Sequence, residues 1–214
     1  MKFHSYESFE VDEKDLFSLS AFISNHFEVT INVNAKRLYD FSKENNFSFF
    51  NSCVAAIYKA IEEIPEFKRY IVNGKGRQYS EINIVFPVLK DDNSTQDVCI
   101  ESFNDFTSFK QWDNFLNHVK EHPDEYKMEF DEKSSEAPIA ILSCIPWFYF
   151  TGFRNLVLKS DVFTTIIHWG KYENGNFPLA IEVNHTYCYA YHLGLFFDKL
   201  DEFMQNPNLI FGEK

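Results

Sequence analysis

Ile181-Glu182-Val183-Asn184-His185-Thr186-Tyr187-Cys188-Tyr189-Ala190-Tyr191-His192-Leu193-Gly194 changes its period midway. Leu179 to His185 reads as a strand. Beyond the polar cluster, Leu193, Phe196, Phe197, Leu200 and Phe203 recur at helical spacing. His185 stands at the end of the strand, where side chains commonly face a cleft. A neutral imidazole there can take a proton from a hydroxyl or a thiol. One such His is by itself weak evidence.

The same alternation of periods extends outward in both directions. Phe27 to Val33 alternates apolar and polar residues, which predicts a strand with one buried face. Asn34 can cap a helix starting near Ala35, with Leu38 and Phe41 inward. Cys53, Ile57, Ala60, Ile61 and Ile64 form a second helical stripe that Pro65 ends. Ile82 to Leu89 reads as a strand, followed by a turn at Asp91-Asp92-Asn93-Ser94. Phe106, Phe109, Trp112, Leu116 and Val119 make a third stripe, with Ser108-x-x-Gln111 as a capping box. Residues 122–136 are polar and loop-like, apart from Tyr126, Met128 and Phe130. Ile139 to Pro146 and Val162 to Trp169 read as further strands. Strands and helices mix without a strict βαβ alternation. The expectation is an α/β protein of the two-layer α+β kind, a mixed β-sheet covered by helices. No linker or repeat divides it, so residues 1–214 are read as one domain.

Composition narrows the function classes. The formal net charge is −12, and Lys and Arg are scattered rather than striped. A nucleic-acid surface would need a basic stripe, so no nucleic-acid partner is expected. No apolar run approaches membrane-spanning length, and the N-terminus lacks an apolar signal core, so no membrane partner is expected either. Cys53, Cys99, Cys144 and Cys188 lie far apart in apolar stretches, without a CxxC pair. They read as buried free thiols, in keeping with a reducing cytoplasm. Aromatic residues make up 18% of the chain, enough for a bulky core or for apolar ligand sites. There is no GxGxxG and no Walker A sequence.

The segment from Asn184 to Ala190 resembles the HHxxxDG motif of chloramphenicol acetyltransferases and of the catalytic domains of dihydrolipoyl acyltransferases. His185 matches the second His, the family's general base. Cys188, Tyr191, His192 and Gly194 fall in step with it. Ile141-Leu142-Ser143-Cys144-Ile145-Pro146-Trp147 resembles the family's N-[IL]-S-x-[LI]-P-W stretch, whose Ser stabilises the oxyanion of the tetrahedral intermediate. Ser143 inherits that role. Looser, collinear matches run from Phe163 to Lys171, from Pro178 to Val183, and over Phe27 to Val33. Glu66-Phe67-Lys68-Arg69 with Tyr70-Ile71 resembles the end of the second long helix. In all, the likeness covers about residues 10–205. It implies acetyl-CoA as co-substrate, a small-molecule acceptor and a homotrimer with sites between subunits. Phe130 and His168 fall at acceptor-binding positions, and Lys171 at a CoA-phosphate position. No metal is implied.

Several positions depart from the pattern. Tyr189 replaces the family's Asp and Ala190 its Gly. The Arg that pairs with that Asp near the N-terminus is also missing, the first Arg here being Arg37. Losing both members is milder than losing one, because a buried unpaired charge is costly. Asn184 replaces the first His, and His168 stands where a Thr is found. The N-terminal Tyr that contacts the antibiotic has no counterpart, the local residues being Phe17 to Phe22. These changes leave two other readings open: an acyltransferase for a different hydroxyl or amine acceptor, and a non-catalytic binding homologue. A metal site from His185, Cys188 and His192 would need a fourth ligand that no second cluster supplies.

Overall fold

Period-two alternation gives the main sheet two unlike faces. The computed structural model describes residues 8–10, 25–72, 75–128, 138–155 and 165–212. Its elements are β1 (Ser8–Glu10), β2 (His26–Asn34), α1 (Lys36–Glu44), α2 (Phe49–Glu62), β3 (Arg69–Val72), β4 (Lys75–Tyr79), β5 (Asn83–Leu89), β6 (Thr95–Ile100), α3 (Phe109–Glu121), β7 (Ile139–Ile145), β8 (Thr165–Gly170), β9 (Asn176–Asn184) and α4 (Ala190–Gln205). Six strands form the main sheet in the order β2-β9-β8-β7-β5-β6, and β1-β4-β3 form a small one. β7 runs parallel to β5 and β8, and the other pairs are antiparallel, so the sheet is mixed as expected.

One face carries Val29, Ile31 and Val33 of β2, Leu179, Ile181 and Val183 of β9, Ile167 and Trp169 of β8, Leu142 of β7 and Phe86 of β5. These pack with the apolar residues of all four helices into the main core. The other face carries His26, Glu28 and Thr30, then Glu182, His168 and Ser143, because neighbouring residues on a strand point to opposite sides. Helix α2 is buried on nearly every side, from Asn51 to Tyr58 and again at Ala60 and Ile61. Its near-continuous apolar sequence suits a helix enclosed between the sheet and its neighbouring helices.

Three local expectations are corrected. Glu66 to Ile71 does not end the second long helix. α2 stops at Glu62, Ile64 is extended, Pro65–Lys68 form a 3-10 turn, and Arg69 opens β3. Proline lacks the N–H and pushes the preceding residue out of the helical region. β6 escaped the sequence reading because its first half, Thr95-Gln96-Asp97, is polar. The box at Ser108 is also not reciprocal. Ser108 Oγ accepts from the Gln111 N–H at 3.3 Å, but Gln111 reaches one residue further back, to the N–H and hydroxyl of Thr107 at 3.1 and 2.9 Å. Of the strand read at Val162–Trp169, residues 162–164 lie outside the described residues.

Asp113 gathers polar groups inside the helical layer. Asp113 Oδ1 accepts from the Ser48 N–H at 2.9 Å and from Asn51 Nδ2 at 2.7 Å, and its Oδ2 accepts from Asn117 Nδ2 at 2.9 Å. Trp112 Nε1 donates to the Asn51 carbonyl at 2.8 Å, which ties α3 to the start of α2. Asp113→Ala removes the acceptor and strands buried donors. A loss of about 1–3 kcal/mol per stranded group is expected in urea unfolding.

Candidate active site

The turn that carries His185 is built by its neighbours. Asn184, the last paired residue of β9, sits opposite His26. Its Oδ1 accepts from the Thr186 N–H at 2.8 Å, an Asx turn, and its carbonyl accepts from the Tyr187 and Cys188 N–H groups at 3.1 and 3.0 Å. The His185 N–H donates to the Asn25 carbonyl at 2.6 Å, and Asn25 Nδ2 donates to Thr186 Oγ1 at 3.2 Å. The half-buried imidazole lies between Phe27 and Tyr189, each ring centre 5.2 Å away.

Ser143 lies elsewhere on the sheet. β5 and β7 pair only as far as Val85 opposite Ile141, and beyond that they part. A cavity of about 530 Å³ fills the gap, lined by Phe86 and Val88 of β5, Ser143 of β7, Phe50, Trp147 and Lys120. Across β7 and β8, Ser143 is the register partner of His168. The ring of His168 packs at a tilt against Phe153, centres 4.4 Å apart, and its Nε2 lies 2.5 Å from Asn155 Oδ1, so the N–H is on Nε2. Burial pushes the imidazole down to about 4, only partly offset by Glu182. His168 is therefore neutral at ordinary pH.

Register also fixes a distance. His168 pairs with Ala180, which puts Ser143 level with Ala180, five residues before His185 and two strands away. At ~3.3 Å per residue and ~4.8 Å per strand, the two Cα atoms are about 19 Å apart. One chain does not bring His185 and Ser143 together. Lys171 is exposed, bonded to Glu173 Oε1 at 2.9 Å, and follows Gly170, the register partner of the cavity-lining Ile145. Phe130 lies outside the described residues. All four cysteines are free, although Cys144 is only half-buried. Among the described residues no three His, Cys, Asp or Glu side chains gather to hold a metal ion, and no helix is long and apolar enough to cross a membrane.

Comparison with known proteins places this arrangement. The family model described as chloramphenicol acetyltransferase matches residues 2–201. The chain belongs to the chloramphenicol acetyltransferase family. A Staphylococcus aureus chloramphenicol acetyltransferase is 26% identical over 97% of this chain and 98% of its own length. One from Clostridium perfringens is 26% identical over 88% of each. A solved chloramphenicol acetyltransferase superposes with a TM-score of 0.71 at 22% identity, covering 86% of this chain and 90% of its own. The dihydrolipoamide acetyltransferase of Azotobacter vinelandii follows the same fold, with a TM-score of 0.66 at 13% identity and coverage of 88% and 84%.

The protein is thus an acyltransferase of the chloramphenicol acetyltransferase family, and the structure adds residues that the sequence reading missed. Asn155 pins the His168 ring. Glu182 bonds His26 Nδ1 at 2.9 Å and is the register partner of Glu28. Burial works to raise the Glu182 carboxyl, but its hydrogen bonds to His26 and Asn155 outweigh this and hold it below the usual range. Burial, and then Glu182, push Glu28 up. The signal was present in each strand, a carboxylate set among apolar neighbours. We expect the His168 ring to stay neutral until pH falls to about 4 when followed by NMR. Its unfolded value is higher, so its contribution to stability is complete above about pH 6.5 and is lost as pH falls towards 4.

Proposed function

We propose that this protein transfers an acetyl group from acetyl-CoA directly to an acceptor hydroxyl, with His185 as general base and Ser143 as oxyanion donor. His185 Nε2 takes the hydroxyl proton as the oxygen attacks the thioester carbonyl carbon. Ser143 donates to the oxygen that becomes negative. The tetrahedral intermediate then collapses, the C–S bond breaks, and the sulfur leaves with the proton returned by the imidazolium. The products are the ester and free CoA thiol, and no acyl-enzyme forms.

The observation that carries this reading is the pairing of a supported imidazole with a Ser on a ligand-sized apolar cavity, held about 19 Å apart in one chain. Such a separation favours a site completed by a second copy, with His185 from one subunit and Ser143 from its neighbour in a homotrimer. The cavity beside Ser143 suits the pantetheine arm. Half-buried Lys120, which lines it, and Lys171, next to the Ile145–Gly170 pair, are the cations offered to the CoA phosphates. Phe130 and His168 contribute to the acceptor pocket. The Azotobacter enzyme was studied for a Ser, a His and an Asn in its catalytic mechanism, the last two spaced as His185 and Tyr189 are here. Four free thiols fit action in a reducing cytoplasm.

Chloramphenicol is the first acceptor to test. The neutral His168–Asn155 pair favours a second reading, an acceptor richer in hydrogen-bonding groups, because a site built to bond a polar substituent rejects ligands without it. The assay is thiol release from acetyl-CoA with chloramphenicol and with a panel of hydroxyl and amine compounds. His185→Ala should cost about 10²–10⁴-fold and Ser143→Ala about 10²–10³-fold in kcat. Mixed oligomers of the two variants should regain activity that neither has alone. Release should fall as pH drops from about 8 to about 5, because the base must be neutral. Absence of release with every acceptor, in a trimer that binds CoA, would leave a binding homologue.

A further inference from the structure

Where the family motif has a carboxylate, this chain has Tyr189, and the turn beside His185 is held by other means. Tyr189 is the N-cap of α4. Its backbone N–H donates to His192 Nδ1 at 3.0 Å, half of a capping box in which His192 takes the place usually filled by Glu or Gln. The Tyr189 ring meets the His185 ring nearly edge-on, at 80°, and the His192 ring lies 5.4 Å from that of Tyr189. Because Nδ1 accepts, the His192 proton sits on Nε2, which faces Glu66 Oε1 at 3.9 Å. Glu66 is in turn paired with Arg69 at 3.1 Å, and Arg69 Nε donates to Gln78 of β4 at 3.0 Å.

We infer that His192 is a positioning residue for His185: it holds Tyr189, and hence the face against which the His185 ring rests, only while its own ring is neutral. The inference builds on the reading of His185 as the base.

Protonating Nδ1 would turn the acceptor into a donor pointed at another donor, and the cap would be lost. The groups facing His192 are Glu66 from the 3-10 turn, Arg69 from β3, and the rings of Tyr189 and Tyr191 from its own segment. Burial lowers its affinity for a proton, Glu66 opposes that, and Arg69 adds to it. The balance favours the neutral ring. The cap therefore contributes fully above about pH 6.5 and weakens as pH falls below that.

His192→Gln supplies the side chain most often found in a capping box and cannot titrate. The first experiment follows the ring signals of His185 by NMR in the intact oligomer as pH is lowered. In the unmodified protein the His185 signals should show a step that coincides with the titration of His192. In His192→Gln that step should be absent. In His192→Ala the signals should be displaced at every pH. Identical His185 curves in all three proteins would overturn the inference, whether or not the protein is active.

Thiol release supplies the second readout. His192→Ala should lower kcat about tenfold or more with the KM for acetyl-CoA unchanged, and His192→Gln should restore it to within about twofold at neutral pH. The acid limb should be steeper in the unmodified protein than in His192→Gln, and equal slopes would count against the device. If His185→Ala leaves release intact, the reading of the base fails, while the ring signals still report on His192.

Discussion

The structure depends on the pairing of β9 with β2 on one side and β8 on the other. Through nine consecutive pairs, from His26–Asn184 to Asn34–Asn176, every apolar residue of β2 is turned to the helices and every polar one away. A slip of β2 by one residue would exchange its two faces and turn His26, Glu28 and Thr30 into the core. The register is thus enforced by the cost of burying charge as much as by the gain from burying Val29, Ile31 and Val33. The same register sets where the chain leaves the sheet, and so where the His185 turn begins.

The candidate site on this scaffold lies where regular pairing stops. His185 appears where β9 ends, and its turn replaces ladder bonds with bonds to Asn184 and Asn25. The cavity appears where β5 and β7 part after three paired residues. Each interruption frees backbone and side chains that an intact sheet would consume.

Most of the fold was legible from periodicity. The strands around Phe27–Val33, Ile139–Ile145 and Leu179–Asn184 and the helices of the main core follow from spacing two or near 3.6, because each buries one face. β6 was not, since its polar half lies at the sheet edge and shows no alternation. The site was legible only in part. His185, Ser143 and His168 stand out by type and context, but the partnership of His168 with Asn155 joins segments thirteen residues apart through a loop with no periodic signature. Glu182 was visible as a lone carboxylate in an apolar strand, yet nothing in the sequence says that it meets His26 from 156 residues away.

Cys144 follows Ser143 on β7 and lines the same cavity. Burial pushes its thiol up to about 12, so near neutral pH the sulfur stays protonated. Thioesters exchange readily with thiolates and slowly with thiols. An acyl thioester seated in this cavity would thus lie beside a sulfur kept chemically silent by its surroundings, and the acyl group would not be diverted onto the protein.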